Sequence, residues 1–138
     1  MEEIIRNKVC FVCGDDNPHG LRIRFFTNGQ EAVADYTPPG RYQGYEGILH
    51  GGLISTLLDE IMAKAVLAME RQGMTVEMHV RFKKAVPINQ PLRLVGRVTG
   101  IQGRLTETAG EITSANGAVY ATATGKFLEV PSMTRLER

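Results

Sequence analysis

Leu53, Ile54, Leu57, Leu58, Ile61, Met62, Ala65, Val66 and Met69 recur at offsets of three and four along residues 51–71. That spacing stacks side chains on one side of an α-helix. Their arc is wider than the stripe of roughly 100° with which a surface helix meets a core, so this helix has to be covered on more than one side. No second long segment with this period occurs in the chain. The cover therefore has to be built from strands.

Strand signals stand on both sides of the helix. Leu21, Ile23 and Phe25 alternate with Arg22 and Arg24, and Asn28-Gly29 is a two-residue hairpin signal before residues 32–36. Pro38-Pro39-Gly40 ends that hairpin, and residues 41–49 have no period and read as a loop. Beyond Gly73 the period becomes two: Val76, Met78, Val80 and Phe82 alternate with Thr75, Glu77, His79, Arg81 and Lys83, which predicts a strand with one buried face. Further strands follow at residues 92–98, 105–113 and 118–130, the last two joined by the hairpin turn Asn116-Gly117. Two strands, one helix and four strands predict an α+β fold, an antiparallel sheet of about six strands wrapped around one long central helix.

At 138 residues the chain is expected to form one domain, 1–138, with an N-terminal Cys-x-x-Cys segment over residues 1–20 and a loose tail over 131–138. Sixteen Lys and Arg against fifteen Asp and Glu give a net charge of +1, too little positive field to hold a phosphate backbone, so nucleic acid is not an expected partner. Asp59, Glu60 and Lys64 interrupt the longest apolar stretch, which argues against a membrane span. The opening Met-Glu-Glu-Ile-Ile-Arg lacks the basic start of a signal peptide, and a cytoplasmic location is the expectation. Cys10 and Cys13, the only cysteines, have a spacing that serves metal binding, disulfide exchange or neither. A zinc site needs four ligands, and one chain offers these two and His19; two chains meeting at their N-termini would offer four thiolates. No metal site is expected from this count.

Gly51 and Gly52 stand where loop becomes helix, with N–H groups that have no intrahelical acceptor and a positive dipole end behind them. Without side chains, a substrate oxygen can reach that backbone, which is the construction of an oxyanion site; a glycine pair used only to reverse the chain is the plainer reading. Gly52, Thr56, Asp59 and Ala63 share the side of the helix opposite the apolar arc, a strip of small residues beside one carboxylate. Glu60 has Lys64 at i+4 to pair with, whereas Asp59 has no cation at i+3 or i+4. Gly51 and Asp59 are about 12 Å apart along the helix axis. If both act on one carbonyl, they come from two antiparallel helices related by a two-fold axis, giving two identical sites per dimer.

The stretch His50-Gly51-Gly52, the acidic Asp59 nine positions after the histidine, the polar Thr75 opening the next strand, and the Cys-x-x-Cys-Gly, Asn17-Pro18 and Gly20-Leu21 opening resemble the hotdog-fold acyl-CoA thioesterases. The similarity is to the branch of the phenylacetic-acid-pathway and 4-hydroxybenzoyl-CoA thioesterases, and it covers nearly the whole chain. The resemblance implies the hotdog fold, hydrolysis of an acyl-CoA to free acid and coenzyme A without metal or redox cofactor, and a homodimer or a homotetramer built as a dimer of dimers. It further implies roles for particular residues. The Gly51 N–H polarises the thioester carbonyl, with His50 shaping that site. Asp59 is the nucleophile or the general base for water, and Thr75 helps position water or the intermediate.

Where some relatives carry Asn or Gln six residues before the histidine, this chain has Gly44, with Gln43 beside it. Gly52, Gln43, Gly44, Glu60 and Thr56 are candidate substrate contacts. Arg81 and Lys83, with Lys84, are candidate partners for coenzyme A phosphates, against the plainer reading of a solvated strand face. His79 reads as a surface residue, and His19 is given no role. The alternatives are a non-catalytic hotdog module that binds acyl-CoA and, more remotely, a hotdog dehydratase.

Overall fold

The computed structural model describes residues 1–130; the tail expected over 131–138 lies outside the described residues. The helix-period segment forms α1, Gly51–Ala68. The strands are β1 (Glu2–Glu3), β2 (Phe26–Thr27), β3 (Ala32–Tyr36), β4 (Gly73–Phe82), β5 (Leu92–Gln102), β6 (Leu105–Ser114) and β7 (Val119–Glu129). They make one seven-stranded sheet in the order β1-β2-β3-β5-β6-β7-β4, with every neighbouring pair antiparallel. α1 packs against β3, β5, β6, β7 and β4. The sheet thus covers the helix as its wide apolar arc requires, and Ile54, Leu57, Leu58, Ile61, Met62, Ala65 and Val66 are buried. None of the described helices is long and apolar enough to cross a membrane.

The helix rests on a seat of glycines. A Cβ on Gly96 of β5 would stand 2.5 Å from the Ile61 carbonyl oxygen. One on Gly110, its register partner on β6, would meet Met62 Cγ at 3.1 Å, and one on Gly125 of β7 would meet Met62 Cε at 3.0 Å. The contact at Gly96 is closer to backbone than real side chains pack, and those at Gly110 and Gly125 would crowd Met62, so the close seating of the helix depends first on Gly96.

The N-terminal third departs from the expected simple hairpin. Arg22 has φ of 57°, a left-handed conformation that interrupts the extended run, and the strand shrinks to Phe26–Thr27. The preceding residues hold the N-terminal segment instead. Leu21 and Ile23 donate N–H groups to the Phe11 and Val12 carbonyls, and Ile4 donates to Phe25. The loop 41–49 is tied by bridges from Gln43 to Leu49 and from Ile48 to Pro87, after a one-turn 3-10 helix at Gly40–Tyr42.

The expected buried face of β4 is only partly covered by its own chain: Met78 and Val80 pack against the core, whereas Val76 and Phe82 do not. β4 ends the sheet and pairs only with β7. Met74, Val76 and Phe82 are 52%, 56% and 54% exposed. An outermost strand curves past the reach of a single helix, so sequence alternation reports an apolar face without reporting what covers it.

Candidate active site

His50 is the N-cap of α1, in extended conformation, and its Nδ1 accepts the Gly52 N–H at 2.9 Å. The Leu53 and Ile54 N–H groups reach the His50 carbonyl at 3.0 and 3.1 Å. Of the first four helix donors, Gly51 N–H alone has no acceptor among the described residues, at the positive end of the helix dipole. The expected substrate contact at Gly52 is thereby altered, because its N–H is spent inside the cap. A Cβ there would crowd the His50 ring, standing 3.1 Å from Nδ1. Gly44 serves the same ring: a Cβ on it would touch His50 Cδ2 at 3.4 Å. Gln43 uses its carboxamide oxygen to accept the Gly47 N–H at 2.8 Å, where Gly47 turns with φ of 80°. These two residues therefore shape the loop that presents His50.

Thr75 donates its hydroxyl to Asp59 Oδ1 at 2.6 Å, a short bond of the charge-assisted kind. A break in the register of β4 makes this contact. Thr75 stands opposite Phe127, and Glu77 stands opposite Lys126, so Val76 is an extra residue in the strand. Met78, Val80 and Phe82 face the helix side opposite Gly125, Ala123 and Ala121; the bulge puts Thr75 on that same side, opposite buried Phe127. Simple alternation places Thr75 with Glu77 and His79 on the outer face, which would keep it from Asp59.

Gly51 and Asp59 are eight residues apart on one straight helix, about 12 Å along its axis. The pair Asp59–Thr75 and the Gly51 N–H therefore lie at separate places on one chain. Phe82 packs beside Gly51, within 3.8 Å of where a Cβ would stand. This end of β4 thus has Arg81, on the face away from the helix, and Lys83, one residue past the strand, both exposed. Thr56 bonds its hydroxyl back to the Gly52 carbonyl at 2.9 Å, inside its own helix. His79 is exposed and lies 3.2 Å from Glu77, as expected of a surface residue.

Glu60 turns away from this strip. Its carboxylate is 3.9 Å from Lys64 Nζ, the expected i+4 pair, and 3.7 Å from Cys10 Sγ on the N-terminal segment. Burial pushes its carboxyl up to about 7, reinforced by Cys10. The hydrogen bond from the Cys13 thiol holds the Cys10 thiol down to about 5, with backbone N–H groups of Cys13 and Val12 acting the same way, and the same partnership pushes Cys13 up. Lys64 is 2% exposed and donates to the Ile5 carbonyl at 2.7 Å. The approach of Glu60 to the cysteines, fifty positions away, was not foreseen from sequence. Its one signal was Lys64, a cation inside the apolar arc of the helix, since a buried ammonium demands polar partners from elsewhere in the chain.

One long helix cradled by an antiparallel sheet, with a glycine pair at the helix start and a carboxylate at mid-helix, is the hotdog architecture. The thioesterase superfamily profile matches residues 46–121, more than half of the sequence, and the chain belongs to that superfamily. An uncharacterized protein of Schizosaccharomyces pombe is 32% identical over 116 residues, covering 80% of this chain and 66% of the yeast protein. Acyl-coenzyme A thioesterase THEM4 of Bos taurus is 24% identical over 132 residues, covering 94% of this chain and 54% of the bovine one. The chain thus spans only part of the curated relatives it matches. A crystallised thioesterase superfamily protein superposes with a TM-score of 0.82 at 29% identity, over 88% of this chain and 60% of its own. A hypothetical thioesterase of Streptococcus pneumoniae, solved with coenzyme A, shares the fold with a TM-score of 0.70 at 22% identity, over 73% of this chain and 82% of its own.

Proposed function

We propose that this chain hydrolyses the thioester of an acyl-coenzyme A to the free acid and coenzyme A, at a site completed by a second copy of the chain. The observation that carries the reading is the bond from Thr75 of β4 to Asp59, on the same helix that begins with the Gly51 N–H. A carboxylate held by a hydroxyl and a backbone donor at a helix start are the two parts that acyl transfer needs. Membership of the thioesterase superfamily and similarity to acyl-coenzyme A thioesterases support the same class of substrate. So does a spacing: in the Streptococcus pneumoniae protein, solved also as two single alanine mutants, the substituted aspartate and threonine lie sixteen positions apart, the separation of Asp59 and Thr75.

A two-fold axis beside β4 brings Asp59 of one copy to Gly51 of the other and covers the exposed Met74, Val76 and Phe82. The Gly51 N–H then holds the thioester oxygen as charge develops on it. Asp59 either attacks the carbonyl carbon or draws the proton from an attacking water. The carbon–sulfur bond breaks, coenzyme A leaves as thiolate and takes up a proton, and water supplies the second oxygen of the acid. Arg81 and Lys83, at the Gly51 end, meet the phosphates of coenzyme A. The assembly is a homodimer or a dimer of such dimers. No metal or redox cofactor takes part in these steps.

Release of free thiol from short, medium, long and aromatic acyl-CoAs tests the reaction. Turnover on at least one of them is expected, and calorimetric binding without turnover on any would replace the enzyme with a binding module. Thr75→Val removes the hydroxyl and keeps the volume. It is expected to lower kcat about 10- to 100-fold with KM within about twofold, the effect of one hydrogen bond to a charged group. An unchanged kcat would remove Thr75 from the site.

A further inference from the structure

The N-terminal segment and the back of α1 form a second constellation, unrelated to the strip that carries Asp59. Sγ of Cys10, Sγ of Cys13 and a carboxylate oxygen of Glu60 all lie within 4.8 Å of one another. Cys10 Sγ is 3.7 and 3.9 Å from the two Glu60 oxygens. Ligands bound tetrahedrally to zinc at about 2.0–2.3 Å stand about 3.5–3.8 Å from each other, so the three atoms are already near that spacing.

The backbone around the cysteines is folded as a ligand turn. Val12 N–H points at Cys10 Sγ at 3.3 Å, and Gly14 N–H closes the turn on the Cys10 carbonyl at 2.9 Å. Gly14 has to be glycine, since a Cβ there would sit 2.3 Å from the Lys8 carbonyl oxygen. An N–H aimed at sulfur favours the charged form that binds metal. Lys64 completes the charge balance. Its ammonium is almost fully buried and lies 3.9 Å from Glu60 Oε2. Two thiolates and a carboxylate are neutralised by a divalent ion together with that one ammonium, and a buried charge needs such compensation.

We propose that Cys10, Cys13 and Glu60, with a solvent molecule as the fourth ligand, bind one zinc ion within a single chain, tying the N-terminal segment to the middle of α1 at the residue next to Asp59. Two thiolates with one carboxylate favour zinc over the harder magnesium and calcium ions. Binding displaces the thiol protons to solvent and involves no oxidation. A count of ligands from sequence leaves Glu60 out, because fifty positions along it reads there as the partner of Lys64 alone.

Elemental analysis of the chain purified under reducing conditions without chelators tests the site. Cobalt titration of the chelator-treated protein is the second readout. One zinc per chain is expected, and cobalt is expected to give thiolate-to-metal charge-transfer absorption with the visible bands of a tetrahedral ion. Cys13→Ser and Glu60→Gln are each expected to weaken cobalt binding at least tenfold, in keeping with the cost of losing groups that support a metal. Absence of both zinc and the cobalt bands in the wild-type chain would overturn the proposal. So would one zinc per two chains, the signature of a shared four-thiolate site, or a cobalt titration unchanged in Glu60→Gln. The wild-type readouts decide the matter even where a variant fails to fold.

Discussion

Replacing Asp59 with asparagine is expected to lower turnover of the best acyl-CoA on the order of 10²–10⁴-fold, the range for loss of an acid–base group or nucleophile. Asparagine keeps the shape and can still accept from the Thr75 hydroxyl, so what is removed is the carboxylate's charge and basicity. Asp59 is partly exposed, and substitutions of that kind move stability by about 0.5 kcal/mol or less. The melting temperature and the oligomeric state are therefore expected to match wild type. Thiol release measured beside thermal melting separates the two effects. A variant that retains more than a tenth of wild-type turnover would take Asp59 out of the centre of the reaction.

Gly96→Val is expected to be the most damaging change to the fold. The added Cβ would meet the Ile61 carbonyl oxygen at 2.5 Å, and backbone in a helix packed against five strands cannot move aside cheaply. A cost of at least about 3 kcal/mol follows, at the upper end of overpacking, and a fall in Tm of roughly 10 °C for a domain of this size. Gly100 lies on the same strand with nothing within 4 Å of its would-be Cβ, so Gly100→Ala serves as the control and is expected to melt within about 2 °C of wild type. Equal melting of the two variants would contradict the tight seating of α1 on the sheet.

The helix and its wrapping were legible in the sequence because the apolar arc has a period of its own and is too wide for one contact surface. The hairpin signals Asn28-Gly29 and Asn116-Gly117 both stand at turns, with Gly29 and Gly117 at positive φ. The glycine pair at the helix start and the mid-helix Asp59 were also legible, as spacing on one helix. What alternation cannot report is an inserted residue. The bulge at Val76 reverses which side of β4 Thr75 faces, so a place for Thr75 in the site rested on a resemblance and not on the period. The covering of β4 was hidden for another reason: alternation names an apolar face but not the chain that buries it. The left-handed Arg22 and the distant partners of Glu60 and Lys64 are tertiary features, and no local pattern in the sequence encodes them.

The sharing of one reaction between two chains is tested most directly by complementation. Gly51→Pro removes the N–H that holds the thioester oxygen, at the first helical position, where proline is well tolerated and where His50 before it is already extended. Neither Gly51→Pro nor Asp59→Asn alone is expected to turn over acyl-CoA appreciably. Co-expressed in equal amounts, half of the dimers are mixed and each mixed dimer has one of its two sites intact, so about a quarter of wild-type thiol release per chain is expected to return. Mixed dimers verified by native mass spectrometry that recover no activity would contradict the shared site and return the whole reaction to a single chain.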